Sequence, residues 1–600
     1  MKIQSLSLLL STLTAFANAT IFGFNVVSLT GQQNTKLGVK YNNNEVAVLN
    51  PTVYPLYSGG VNANKIDKYK YVIVDDTGKV IEEENIERTY SEENSKINEV
   101  FNRTTKSVTI PPLPKALKSL YPMGSKKFTP FPNNEIFNIY ANCNEVYEDI
   151  KNQPFKDGVR NDAISNCTIS IITPTETFQS TGVIRPIGFG SRLYKKLSWI
   201  IKLDKKFMGR KAIKVRAMAT DPTLMREKFN TDLYAAVGVP VQEGTYARVI
   251  INQDVWGLYY AMDSLSKNWF SAYLHGGDKA KVGTDYKLIS THPTGPYADL
   301  KYQGDDVAAY TSDVYQVDEI STQDTEAIQK DPQGKYRLVQ FTKLFDEWNG
   351  KYQNDNSEAA VDALKQFLDV ETTLRIMAVE TLTLAEDNFW LVMSNVALYY
   401  NLEKNNYVFI PFDFDETLKG IQGDYFKENY LDDCLTWATD IPNFDHYFTN
   451  SLMRHPLIVE RFKIILAKTV RDTFNHDSAS SHIDGLVNLI HEDVEWNFGL
   501  IDKLQSSYTE GQVNHFTLKN FEDNVNNSPV PYDKEINVND APYGLKEYIT
   551  LRGDKCGTFT KDVVIPASDL VVDDEPNSTI SSYKVTLFLI LSQFILFLFF

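Results

Sequence analysis

Between residues 20 and 110 apolar side chains fall at every second position. Leu37, Val39 and Tyr41 alternate, as do Val46 and Val48, and then Tyr69, Tyr71 and Ile73 before the turn Asp76-Thr77-Gly78. A period of two marks strands with one buried face. Short strands at this spacing predict a small β-sandwich. Pro111-Pro112-Leu113-Pro114 breaks the pattern, which sets the first domain at 20–125. From 126 to 345 the pattern is mixed. A strand at Ile200–Leu203 is followed by another in Arg210–Met218, Asp221 is expected to cap a helix with Pro222 at its first position, and Ala247–Asn252 pairs with Gly257–Asp263. Beyond 345 the period changes to that of helices. Ala360, Ala363, Leu364, Phe367 and Leu368 form one core stripe, continued by Leu374, Met377, Leu382 and Leu384, and Ile458, Phe462, Ile465 and Leu466 form a second. The first run breaks at Asp387-Asn388, and the strands Val396–Tyr400 and Tyr407–Pro411 then flank the turn Asn401–Asn406.

The chemistry gathers at these joints. Asp387 ends the helical run, Asn395 precedes the first strand, and Asp413 and Asp415 follow the second, on one side of an extended backbone. Such an order can bring four oxygen-bearing side chains into one cleft. Phosphoryl transfer uses these types: an Asp to orient a hydroxyl, and an Asn and an Asp on Mg²⁺. A solvated turn or a structural Ca²⁺ pair would use the same residues. No H-R-D or D-F-G is present, so this is not an ordinary protein kinase. Gly188-Phe189-Gly190-Ser191 allows backbone to approach a phosphate, or simply turns tightly. His491-Glu492 has no second His four residues on, and no G-x-S-x-G occurs. Arg552-Gly553-Asp554 is read as a chance tripeptide beside Cys556.

The run Pro411-Phe412-Asp413-Phe414-Asp415-Glu416-Thr417-Leu418-Lys419-Gly420, with the Asp387-Asn388 turn and Asn395, resembles the signature of the spore-coat CotH kinase family. Phe412 stands for the usual Trp, and Leu418-Lys419-Gly420 loosens the family's ending. Upstream, Gly188–Ser191, Lys196-Leu197-Ser198-Trp199, Asp221-Pro222-Thr223 with Arg226, and Gly257 with Tyr259 and Asp263 follow the family's order. The resemblance covers about 130–430 and is similar to the fungal branch of surface invasins. It implies an α+β chain with an atypical, two-lobed kinase-like fold (lobes at 126–345 and 346–562) behind the sandwich, using ATP and Mg²⁺. By that carry-over Asp387 orients the acceptor, Asn395, Asp413 and Asp415 hold metal, and Lys196 binds phosphate with Lys202 as its rival. Asp263 takes an acidic position where Glu is commoner.

The ends and the charge place the chain. Lys2, the apolar run Leu6–Leu13 and Ala17-Asn18-Ala19 form a secretory signal, residues 1–19. After a stalk at 563–577, Asn577 and Ser578 are candidate sites for a GPI anchor. The apolar tail Val585–Phe600 within 578–600 would be its removed propeptide. The expected location is thus the outer leaflet of the plasma membrane or the wall. A formal charge of −17 argues against nucleic acid as a partner. Four cysteines allow three pairings, of which Cys143–Cys167 with Cys434–Cys556 is preferred because the first two are near in sequence. Asn102, Asn166 and Asn526 head glycosylation sequons. Two functions are carried forward: an adhesin or invasin that binds a host-cell receptor and promotes uptake, and a secretory-pathway Ser/Thr kinase acting on coat or wall proteins. A structural spore-coat role is the third.

Overall fold

The computed structural model describes residues 20–570, apart from 29–34, 43, 122, 422–426, 442, 505 and 536–537. The expected signal sequence, the stalk beyond Leu570, and the anchor positions Asn577 and Ser578 lie outside the described residues. The fold is mixed α+β.

In the first module, Thr20–Val27 pairs antiparallel with Leu56–Ala63 and parallel with Glu99–Val100. A separate sheet joins Lys36–Tyr41 to Glu45–Val48 and to Lys68–Val74, with Leu37 opposite Ile73 and Val39 opposite Tyr71. Phe24, Val26 and Val61 of the first sheet share one apolar cluster with Leu37, Val39, Tyr71 and Ile73 of the second. One expected face is reversed. Val39 pairs with Ala47, so Ala47 packs towards this cluster while Val48 is 44 % exposed. Residues 110–131 leave this cluster: Ile110, Leu113 and Leu117 pack with the helical core, and Phe131 with the barrel described next.

Seven strands close into a barrel in the order Ile136–Cys143, Ser165–Ile172, Thr177–Pro186, Trp199–Phe207, Arg210–Arg216, Asp254–Asp263 and Gly244–Ile251. Ile139, Ile169, Ile171, Trp199, Ile201, Ile213, Val215 and Tyr259 fill its interior. Alternation therefore sends Lys214 and Arg216 outward. The helix expected at Asp221-Pro222 begins later, at Arg226–Ala236. Asp221 does accept from the backbone N–H groups of Thr223, Met225 and Arg226 (all 2.9 Å), but Leu224 at φ +55° breaks the helical path between them.

The helical part centres on Val370–Thr383, which packs against Pro456–Asp472 and Leu545–Phe559. The stripe expected across 356–386 is split into Glu358–Lys365 and Val370–Thr383. Asp369 N-caps the second piece through Thr372 N at 2.9 Å, which starts a new helix rather than continuing the old one. Val396–Asn401 and Asn406–Pro411 form the expected hairpin, extended by Asp285–Leu288 and Tyr315–Glu319 into a four-stranded sheet. Both expected disulfides are formed, Cys143–Cys167 and Cys434–Cys556. Asn102, Asn166 and Asn526 are exposed. No helix among the described residues is long and apolar enough to cross a membrane.

Candidate functional site

The acidic residues are assembled at the C-terminal end of Val370–Thr383. That helix stops because Leu384 turns left-handed, at φ +46°. Glu380, fully buried in its last turn, accepts from Phe389 N at 3.1 Å and Trp390 N at 2.7 Å, and so holds the short helix Phe389–Val392. Burial pushes the Glu380 carboxyl up to about 8 even against those two N–H groups. The loop between is fixed by amides. Asn395 Nδ2 donates to Asp387 Oδ2 at 2.6 Å and to its carbonyl at 3.1 Å. Asn388 Nδ2 donates to the carbonyls of Phe412 (3.2 Å) and Asp413 (3.1 Å), pinning the end of the hairpin beside Asp387.

The barrel supplies the counterions. Arg216 Nε donates to Glu227 Oε2 at 3.1 Å, across from the strand to the start of the helix Arg226–Ala236. Its two other nitrogens meet Asp413, one at 3.3 Å and the other in closer contact, and Nη2 also lies 3.3 Å from Asp415 Oδ2. One guanidinium thus joins strand, helix and acidic turn. Asn230, on the same helix, donates to Thr417 Oγ1 at 2.6 Å and ties down the far side of that turn. Asp387 Oδ1 and Glu227 Oε1 are buried with no hydrogen-bond partner among the described residues. Burial, reinforced by the charges of Glu416, Asp415 and Asp413, holds the Asp387 carboxyl well above the usual range. Asp415 is raised by burial and by Asp413. Glu386 and Lys419 form a buried ion pair next to this group.

Asp387, Asn395, Asp413 and Asp415 therefore stand together, and the three residues expected to bind nucleotide do not join them. Lys196 is buried elsewhere: its Nζ donates to Leu258 O at 2.7 Å and Asn497 Oδ1 at 2.8 Å, over the Tyr259 ring. Burial brings its ammonium down to about 7. It borders a cavity of about 30 Å³ with Tyr194, Met218 and Asn514, room for a water or two but not for a nucleotide. Lys202 is exposed, because its neighbours Ile201 and Leu203 take the inward positions of the strand. Asp263 is buried against Arg210 Nε at 2.5 Å and, among the described residues, pairs with no lysine. The Gly188–Ser191 turn is held down by Arg192, which donates to the carbonyls of Gly188 and Asn161, and by backbone pairing of Leu193 and Lys195 with Gln512. Arg552 of the R-G-D tripeptide is wholly buried, donating to the carbonyls of Thr381, Tyr430, Asp433 and Cys434. The missed members of the site are Arg216, Glu227 and Asn388. Asn388 was signalled only as half of the Asp387-Asn388 turn, and Arg216 only by a K-x-R in a strand just before D-P-T.

Fold and site together define a mixed α+β protein in which the outer wall of a closed barrel and a neighbouring helix present an Arg–Glu pair to an acidic, amide-braced turn. The profile described as CotH kinase protein matches residues 184–553, and the chain belongs to that family. It is 24 % identical over 570 residues to Invasin CotH2 of Rhizopus delemar, covering 90 % of this chain and 84 % of the relative. Invasin CotH3 of the same organism is 24 % identical over 561 residues, with the same coverage. Spore coat protein homolog 1 is 22 % identical over 525 residues, covering 85 % and 77 %.

Proposed function

We propose that this chain is a surface protein of the invasin type, displayed through the secretory pathway on a GPI anchor, whose cleft is an atypical kinase site. The adhesive half rests on three relatives named invasins that align over 82–90 % of the chain. Its partner would be a receptor on the host-cell surface. Release of the protein from intact cells by a phosphatidylinositol-specific phospholipase, alongside an anchored control, tests the display. Retention refutes it.

The chemical half rests on one observation: Arg216, paired with Glu227 across strand and helix, meets Asp413 beside Asp387 and Asn395. A strand cation paired with a helix Glu next to a metal-binding Asp is the working arrangement of protein kinases. That likeness supports a two-lobed reading, with the barrel as one lobe and the helical part as the other. The donors suit the group the family implies. Carboxylate and amide oxygens are hard ligands for Mg²⁺, and Asp413 and Asp415 already face a cation in the Arg216 guanidinium. Among the described residues no three His, Cys, Asp or Glu side chains are already placed to hold a metal, so Arg216 would have to yield part of its hold. Asp413, Asp415 and Asn395 would hold Mg²⁺, which would neutralise charge on the phosphates of ATP, the phosphoryl donor. Asp387 would accept a hydrogen bond from a Ser or Thr hydroxyl and orient it, on the side away from Asn395.

The two halves separate experimentally. Purified residues 20–577 should bind ATP with Mg²⁺, Asp413→Ala should abolish this, and cell adhesion should survive. No nucleotide binding at millimolar Mg²⁺ or Mn²⁺ would leave a kinase-like scaffold used for adhesion alone. Equal loss of both activities in a folded variant would show that adhesion needs the cleft.

A further inference from the structure

Arg216 is fully engaged, with Glu227 on one edge and Asp413 and Asp415 on the other. Lys214 is not. It lies two residues earlier on the same outward face of Arg210–Arg216, and its Nζ is 5.7 Å from the centre of the Phe412 ring, the residue before Asp413. It donates to the side-chain oxygen of Gln242 at 3.0 Å, and among the described residues no carboxylate pairs with it. Gln242 is completely buried and its Nε2 has no acceptor among the described residues. Lys214 is half-buried, and its surroundings bring its ammonium down to about 8, with burial as the main cause. The site therefore holds a cation with two N–H groups beyond its bond to Gln242, beside a buried amide donor that has no acceptor among the described residues. The charges of Asp413 and Asp318 offset the burial of Lys214 only in part, and an unmet buried amide donor is unfavourable. A group rich in anionic oxygen would satisfy both at once.

We propose that Lys214, seconded by Gln242, is the phosphate anchor of this cleft. It takes a phosphate oxygen of a nucleoside triphosphate, while Arg216 keeps its tie to Glu227 and yields part of its hold on the acidic turn to the metal. The assignment rests on the nucleotide reading above, and it moves the phosphate lysine from the motif position Lys196 to the barrel strand. Neither Lys196, sealed by two carbonyl oxygens, nor the exposed Lys202 offers this setting.

Calorimetric titration of the secreted full chain with Mg·ATP and with Mg·tripolyphosphate tests it. Lys214→Met should weaken both probes about tenfold or more, as expected for loss of a charge-assisted hydrogen bond. Lys214→Arg should keep most of the affinity, and Gln242→Leu should weaken both by less. Unchanged affinity in Lys214→Met overturns the assignment. So does loss of ATP binding with tripolyphosphate binding retained, which would make Lys214 a reader of the base. If Lys214→Met does not fold, Lys214→Gln, which keeps a donor without the charge, is held to the same outcomes. A wild-type chain that binds neither probe refutes the nucleotide reading and this assignment together. Binding lost in Asp413→Ala but kept in Lys214→Met leaves the reading standing and removes only the lysine.

Discussion

Replacing Arg216 with Met is the sharpest perturbation of the joint between barrel and acidic turn. Glu227 is 4 % exposed and Arg216 9 %, so this leg is a buried ion pair. Removing one partner of such a pair leaves an uncompensated charge and costs about 3–5 kcal/mol. Asp413 and Asp415 keep 29 % and 42 % of their side-chain surface, so water screens those legs and they add at most about 1 kcal/mol. The expected loss is therefore about 3–5 kcal/mol, a drop in Tm of about 3–5 °C for a chain of this size. Two conditions should shrink the deficit. Falling pH allows the freed carboxylates to take protons, and millimolar Mg²⁺ offers Asp413 and Asp415 a replacement cation. Chemical denaturation of the variant and wild type with and without Mg²⁺ measures this, and the variant should gain more from the metal. A loss below about 1 kcal/mol, or a deficit indifferent to both pH and Mg²⁺, would mean that Arg216 does not hold this charge together.

Three further outcomes follow from buried groups. Arg552→Met leaves four buried carbonyls without their donor and should cost about 3 kcal/mol or more, whereas the exposed Asp554→Glu should change neither stability nor adhesion. An R-G-D peptide that blocks adhesion would contradict this. Replacing Cys434 and Cys556 by Ser frees a 122-residue loop and should cost about 4–5 kcal/mol, more than the roughly 3 kcal/mol for the 24-residue loop of Cys143 and Cys167; comparing the two double variants by urea denaturation decides it. Lys196, brought down to about 7 in the folded chain, binds its proton more weakly there than when unfolded. Stability should therefore rise from about pH 7 towards 10, by at most about 5 kcal/mol, and Lys196→Met should lack that rise; equal slopes in both proteins would refute it.

The fold was most legible where one period ran uninterrupted. Leu37, Val39, Tyr69 and Tyr71 face their cluster as their alternation says, and both hairpin strands around Asn401–Asn406 stand within a residue of expectation. It was less legible where a polar residue changed the local path. Asp369 caps a new helix inside a continuous apolar stripe, and Asp221 folds its own backbone N–H groups into a turn before any helix starts. Val46 and Val48 misled because alternation reports a face and not which face; the pairing of Val39 with Ala47 settles that, and pairing is a long-range property.

The acidic half of the site was legible because each member sits at the end of an element, where a short chain of turns brings Asp387, Asn395 and Asp413 together with little help from the rest of the fold. The basic half was not, and the reason is geometric. A lysine or arginine on the outer face of a strand is ordinarily solvated, so K-V-R in Arg210–Arg216 reads as surface. Barrel closure decides otherwise. This strand lies between Trp199–Phe207 and Asp254–Asp263, its outer face turns to the acidic loop, and a helix set just beyond it supplies Glu227. Lys196 stands before its own strand and is drawn instead to Asn497 on the helix His476–Phe498. Motif order placed the lysine by sequence, whereas a counterion is chosen by what closes around it. Lys214, like Arg216, has strand neighbours that face inward, so its place at the acidic turn follows from the closed barrel and not from the motif.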